Sequence, residues 1–408
     1  MSTILLDLKL QNSNQTQNND NENLIPRIKQ SDLSYNDFYW NYMNANWPII
    51  LTSISNDWEC RRNWTKQTTT TNNETTEINF IYLKQKIGNC HVPVANCSKE
   101  YYNSHEKCEM KFFDYLDQWQ QSVFDTNRNL YLKDWHLKAL MPDYDFYRVP
   151  KYFASDWLNE YLVDKKLDDY RFVYMGPRDS WTPFHADVFG SYSWSTNIAG
   201  RKQWLLLPPL EEQKLTDSLG NLPFRITKQL LTEKNVKFFT IIQTENESIF
   251  VPSGWYHQVW NLTDTISINH NWFNACNVPI IWRNLATCMQ RVIHEIEDCR
   301  GMDNFEEHCQ TMLRASFGIN YSDFLNILEH IMTKRLQQCS TNNNNNIDNI
   351  LFDTFTLSDF HVRYDLAIIA DVLEAIQNDE VVLARAELCD RCKELVEKIK
   401  GFKNASEN

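Results

Sequence analysis

Hydrophobic and polar positions give the chain three rhythms. From residue 26 to 170 the rhythm is mixed. Residues 34–42 place Phe38 and Tyr42 one helical turn apart, and PIILT at 48–52 reads as a short buried strand. Residues 81–87 carry a short helical pattern and CHVPVA at 90–95 a strand. Residues 110–120 read as an amphipathic helix with Phe112, Tyr115, Leu116 and Trp119 on one side, and NLYLKD at 129–134 returns to strand. The polar run TKQTTTTNNETTE at 65–77 is expected to be an exposed loop. Residues 1–25, dominated by QNSNQTQNNDNEN at 11–23, lack the apolar side chains that offset ordering entropy. They are expected to be a disordered N-terminal segment.

Between 171 and 275 the period shortens to that of a strand. RFVYMGP, WTPFHADVF, SYSWSTNIAG, RKQWLLLPP, KFFTIIQTENESIFVPSGWYHQVW and DTISINHNWF are short runs of β-branched and aromatic residues separated by turns. Many short strands at this spacing predict a β-sandwich or barrel of jelly-roll type. From 276 to 408 the period becomes helical. Ile281, Leu285, Met289, Val292 and Ile296 share one face over 280–296, and 303–315, 323–338 and 366–400 (with breaks) follow. An asparagine-rich loop is expected at 341–349. No internal repeat is visible. The fold class is therefore mainly β with α additions. An N-terminal α/β region (26–170) braces a barrel (171–275), and a helical region (276–408) follows.

Composition narrows the classes. The 408 residues are ample for a sizeable core. The net charge of −13 speaks against a general nucleic-acid binder, which needs clustered Lys and Arg, and leaves a basic protein segment as a partner. The 11 cysteines are odd in number, and the short TILLDLKL at 3–10 is broken by Asp7 and Lys9, so no secretory leader is expected. Reduced thiols in an intracellular protein are the simplest reading. No apolar run approaches the roughly 18 residues of a transmembrane helix, so no membrane span is expected.

The chemistry gathers in two strands. His185 and Asp187 are two apart in WTPFHADVF, so one strand can aim both into a barrel. His257 follows the Pro252-Ser253-Gly254 turn on another strand. H-x-D alone is short and common, and His257 alone reads as a half-buried histidine. Together they make two histidines and one carboxylate, the facial triad of non-haem Fe(II) oxygenases, which keeps positions open for co-substrate and O₂. The H-E-x-x-H arrangement of zinc hydrolases is absent. Thr182 precedes the pair, and Asn197, Gly200 and Lys202 follow it at strand spacing. Cys389-Asp-Arg-Cys392 has no second pair nearby and reads as structural thiols.

These residues resemble the JmjC family of Fe(II)- and 2-oxoglutarate-dependent oxygenases over roughly residues 48–274, most strongly at 172–209 and 250–272. The resemblance implies a double-stranded β-helix core (jelly roll, cupin-like) using Fe(II), 2-oxoglutarate as co-substrate and O₂. The family's metal ligands fall on His185, Asp187 and His257. Its lysine for the distal carboxylate of 2-oxoglutarate falls on Lys202, its nearby hydroxyl on Thr182 and its upstream tyrosine on Tyr131. A family asparagine ten residues after the first histidine falls on Ser195, a departure. Either Asn197 or the Ser195 hydroxyl takes over that role, and Asn269 stands where a polar pocket residue is often found. Within the family the chain is most similar to the JmjC-domain-containing protein four group. That implies a cytoplasmic lysyl hydroxylase acting on the eukaryotic translation termination factor, without direct nucleic-acid binding. The helical C-terminal region then either forms a homodimer or braces the barrel. A JmjC histone lysine demethylase would use the same triad, though no histone-reader or zinc module is recognisable. A non-enzymatic adaptor on the oxygenase fold, or a zinc-loaded cupin-type binding protein, fits the intact triad and Lys202 less well.

Overall fold

The computed structural model describes residues 3–10, 24–70, 73–101, 104–121, 129–340 and 354–407. Eight strands follow one another between residues 171 and 272. They are β1 (Arg171–Gly176), β2 (Trp181–His185), β3 (Tyr192–Ala199), β4 (Lys202–Leu207), β5 (Phe239–Gln243), β6 (Glu247–Val251), β7 (Tyr256–Asn261) and β8 (Thr265–Trp272). They divide between two sheets. The smaller has the order β2-β7-β4-β5, and the larger contains β6-β3-β8-β1, with every adjacent pair antiparallel. The larger sheet is extended on both sides by strands from the N-terminal region. Ile49–Thr52 joins β6, and Leu130–Trp135, His91–Tyr101 and Ser104–Lys111 continue beyond β1.

Alternation explains which faces are buried. The outer face of the larger sheet presents Val173, Met175, Trp194, Ile268 and Trp272 to an aromatic core shared with Phe38 and Phe153. The Phe153 and Trp194 rings stack with centroids 5.3 Å apart. Between the sheets, one part is filled by Trp204, Leu206, Ile241 and Val259 against Ile50, Ile249 and Val251. The remaining inner face is polar, and it forms the site described below.

The C-terminal region is helical, as its period implies. With α1 (Trp157–Asp164) upstream of the barrel, its principal helices are α2 (Val278–Glu295), α3 (Phe305–Phe317), α4 (Tyr321–Ser340), α5 (Asp359–Gln377) and α6 (Ala386–Glu407). Ile281, Leu285, Met289 and Val292 of α2 are buried together. Cys389 and Cys392 are packed into the same core. A fully buried Arg335 on α4 bridges Glu160 of α1 at 2.9 Å and Asp365 of α5 at 2.8 Å. Among the described residues no helix is long and apolar enough to cross a membrane.

Three expectations need correction. The chain is not mainly β: among the described residues helix outweighs strand, because the C-terminal helices are long while the strands are short. The run at 65–77 is not a loop: Thr65–Thr70 and Asn73–Ile78 pair as an antiparallel hairpin. Its polarity suggested a loop, but β-branched threonine favours extended backbone whatever its polarity. The expected disorder of residues 1–25 fails at both ends of that stretch. Ile4–Leu6 pairs in parallel with Phe355–Leu357, Leu6 and Leu8 are fully buried, and Ile25 is buried too. Four leucine or isoleucine side chains within residues 4–8 outweigh the neighbouring charges. Residues 11–23 and the expected loop at 341–349 lie outside the described residues.

Candidate active site

His185 ends β2 and is the direct cross-strand partner of His257 on β7, with ring centroids 4.4 Å apart. A register shift between Thr182 and His185, at Pro183, turns the end of the edge strand so that both rings face inward. Each Nδ1–H donates to a backbone carbonyl two residues upstream: His185 to Pro183 at 2.7 Å, His257 to Trp255 at 3.0 Å. A carbonyl only accepts, so the proton sits on Nδ1 and the Nε2 lone pair is left for a metal. Burial and the neighbouring His257 push the His185 pKa down to about 4, so its ring is neutral near pH 7, as a ligand must be. Asp187 is fixed through both oxygens. Ser193 donates to one at 2.7 Å and the Asn271 amide to the other at 2.8 Å. Ligand atoms of His185, Asp187 and His257 lie within 4.8 Å of one another. They come from one side, which leaves the opposite positions open.

The loop carrying Asp187 is held from outside the barrel. Phe189 has a left-handed backbone (φ 61°) and inserts among the helices, its ring 5.7 Å from that of Phe317. Asn284 of α2 donates to the Phe189 carbonyl at 3.3 Å. A Cβ on Gly318, after α3, would stand 2.7 Å from the Phe189 ring.

Beside the triad lies a buried cation. Lys202 begins β4, is 2% exposed, and donates to the Ser267 hydroxyl at 2.6 Å. Its ammonium lies 6.0 Å from the Tyr174 ring centroid. Among the described residues no carboxylate pairs with it, and burial lowers its pKa to about 7. Such a group is costly unless an anion joins it. Further polar atoms wait nearby. Thr182 Oγ1 and Ser195 Oγ are buried without a hydrogen-bond partner. Tyr131 is buried beside Asn261, whose amide donates to Ser180 at 2.7 Å, and Asn261 is the cross-strand partner of Lys202. A dianionic acid with its far carboxylate on Lys202 and near oxygens toward the triad satisfies this set.

Comparison with known proteins agrees with this geometry. The family profile described as JmjC domain, hydroxylase matches residues 172–272. A fruit-fly (Drosophila melanogaster) protein named 2-oxoglutarate and iron-dependent oxygenase JMJD4 homolog is 52% identical, covering 90% of this chain and 92% of its own. The chain belongs to the JmjC family. An Arabidopsis thaliana JmjC relative named Arginine-specific demethylase JMJ20 is 38% identical over 74% of this chain and 68% of its own. A Caenorhabditis briggsae relative named Bifunctional arginine demethylase and lysyl-hydroxylase psr-1 is 27% identical over 63% and 64%. Iron and 2-oxoglutarate are thus the cofactor and co-substrate of this JmjC oxygenase.

The JmjC site sorts the remaining residues. Asn197 donates to the Gly200 carbonyl at 2.6 Å and so braces the β3–β4 turn. Of the two candidates for the missing family asparagine, Ser195 has the free hydroxyl. Asn269 lies opposite Ser195 across β3–β8 and donates to Ser267 at 3.1 Å. His270 faces away, as alternation implies, with its ring 4.3 Å from that of Trp194 and Nε2 2.8 Å from the Tyr147 hydroxyl. Sequence reasoning missed Ser193, Asn271 and Ser267, which orient Asp187 and Lys202. Their signal was present: Ser193, Ser195 and Asn197 on β3 face Asn271, Asn269 and Ser267 on β8, pair by pair. Polar residues at every second position of two buried strands mark a wet face.

Proposed function

We propose that this chain hydroxylates a lysine side chain of a protein, the eukaryotic translation termination factor, in the cytoplasm. The observation that carries the reading is an open His-Asp-His triad beside a buried lysine that has no counter-charge among the described residues. The strand order supports reading the two-sheet core as a double-stranded β-helix. With iron and 2-oxoglutarate bound, O₂ delivers one oxygen atom to a substrate C–H bond and the other to succinate, as CO₂ leaves. His185, Asp187 and His257 hold the iron. Lys202 neutralises the distal carboxylate of 2-oxoglutarate, with Thr182 and Tyr131 as hydrogen-bond partners. Ser195 and Asn269 complete the pocket wall. Ser193 and Asn271 keep Asp187 from rotating, so the open positions stay on the substrate side. The apolar cluster that includes Trp204 and Val259 fills part of the space between the two sheets.

Lysine as the target rests on the resemblance to the JmjC-domain-containing protein four group and on the lysyl-hydroxylase in one relative's name. The same relative and the Arabidopsis protein carry demethylase names, which keeps N-demethylation as the second reading. Incubation of the chain with Fe(II), 2-oxoglutarate, O₂ and the termination factor separates them by mass spectrometry. One added oxygen on a lysine, with succinate released, is expected. His185→Ala and Asp187→Ala should abolish it while circular dichroism stays unchanged. A lost methyl group with formaldehyde identifies demethylation, and full turnover by either variant removes the assigned ligands.

A further inference from the structure

The chain between β4 and β5 does more than connect them. Residues 208–238 pack on the outer face of the smaller sheet, where Leu215, Ile226, Leu231 and Val236 meet Phe184, Leu205 and Leu207. A cavity of 470 Å³ remains beneath this segment. Its back wall is Phe184 and Tyr256, with ring centroids 5.3 Å apart. These are the immediate chain neighbours of the two histidines of the triad, so the cavity backs directly on the metal end of the barrel. Phe224 closes one side, and its carbonyl accepts the Phe184 N–H at 3.0 Å.

Two features stand out, one in the wall of this cavity and one beside it. One Glu212 carboxylate oxygen is buried and lacks any hydrogen-bond partner. Burial raises the pKa of that carboxyl, although the Glu212 and Leu210 backbone N–H groups stabilise its charged form, and among the described residues no cationic side chain is bonded to it. Two residues earlier, Leu210 holds a left-handed backbone (φ 77°) with 69% of its surface exposed. Non-glycine residues rarely adopt that backbone; here it opens the turn at 211–215, where the Leu210 carbonyl accepts the Gln213 N–H at 3.3 Å, and it leaves the leucine side chain in solvent. Arg291 of α2 also lines the cavity, and it acts with Glu212 on the Tyr256 hydroxyl, in opposite senses. Arg291 is exposed and screened by water, whereas the free Glu212 oxygen is not.

We propose that this cavity is a recognition subsite for a cationic side chain of the protein substrate, at a position near the hydroxylated residue. This deepens the reading under Proposed function and rests on it for the identity of the substrate. The cation meets the unpartnered Glu212 oxygen and lies on the Phe184, Tyr256 and Phe224 rings, whose faces attract positive charge. The exposed Leu210, two residues from Glu212 along the chain, offers an apolar rest outside the cavity for the adjoining residue. Recognition energy is thereby spent next to the metal end, where it orients the reacting side chain.

Two measurements on the full, Fe(II)- and 2-oxoglutarate-loaded chain under anaerobic conditions and in turnover test this. Agmatine, a small dication, is titrated and followed by ligand-observed NMR, with pentanoate as the anionic control. Wild type is expected to bind agmatine and not pentanoate, and Glu212→Gln to weaken agmatine at least tenfold. With the termination factor in turnover, Glu212→Gln and Leu210→Ser should raise KM about tenfold and fivefold. The kcat and the 2-oxoglutarate affinity should change less than twofold, which a misfolded variant would not allow. Equal agmatine binding by Glu212→Gln, no binding by wild type, or an unchanged KM overturns the subsite. If the termination factor is not turned over at all, the hydroxylase reading fails, and the agmatine titration still decides the cavity.

Discussion

At the scale of single residues, Lys202 is the most informative side chain. Among the described residues it has no anionic partner, and burial alone sets its pKa near 7. Its charged form is the one that binds a dianion. Below pH 7 the ammonium is already present, and 2-oxoglutarate affinity should be nearly flat. As pH rises through 7 the site must take up a proton to bind, so Kd should rise about tenfold per pH unit. Calorimetry between pH 6 and 9 in the presence of Mn(II) measures this. Lys202→Arg, with a guanidinium that stays charged, should flatten the profile even if it weakens binding through poorer fit. A flat profile in wild type would mean that the lysine is already protonated across the range. The triad and Lys202 were legible in sequence because each is a chemically distinctive type at strand spacing. The Asn197-or-Ser195 question was not. It turns on whether one amide reaches the Gly200 carbonyl, which spacing does not encode.

At the scale of elements, β3 and β8 act as one unit. Their shared inner face carries a ladder of three polar pairs, opposite an outer face of aromatic and aliphatic residues. The pair Ser193–Asn271 holds both oxygens of Asp187. Asn271→Ala removes one donor and leaves the strand intact. Iron affinity should fall about 10–100-fold, the range seen when partners of metal ligands are lost. Anaerobic Fe(II) titration measures it, and unchanged affinity would assign Asn271 to strand pairing alone. The β core and the helices were readable because periods of 2 and 3.6 are strong over their lengths. The hairpin at 65–78 and the strand at Ile4–Leu6 were not. In the first, polarity hid a β-branched preference. In the second, the pairing partner lies too far along the chain to be seen.

At the scale of the whole molecule, the helical region is part of the metal site. It grips the Asp187 loop through Phe189 and is tied to α1, upstream of the barrel, through Arg335. Arg335→Met leaves Glu160 and Asp365 as buried charges with one partner fewer. The cost should be about 3–5 kcal/mol, as for other broken buried ion pairs. Urea unfolding reads it out, and a loss under about 1 kcal/mol would show that water or Lys334 replaces the guanidinium. The parallel pairing of Ile4–Leu6 with Phe355–Leu357 has a different consequence. The Leu8 amide and Ser358 hydroxyl that close it are 350 residues apart in sequence. A ribosome adding about 5–20 residues per second needs roughly 20–70 s to cover that interval. Throughout it, the apolar segment around Leu6 has emerged and has no strand to join. The barrel can assemble in the meantime, but this clasp cannot close until residues 355–357 emerge, with only the helical segment from α5 to α6 still to follow.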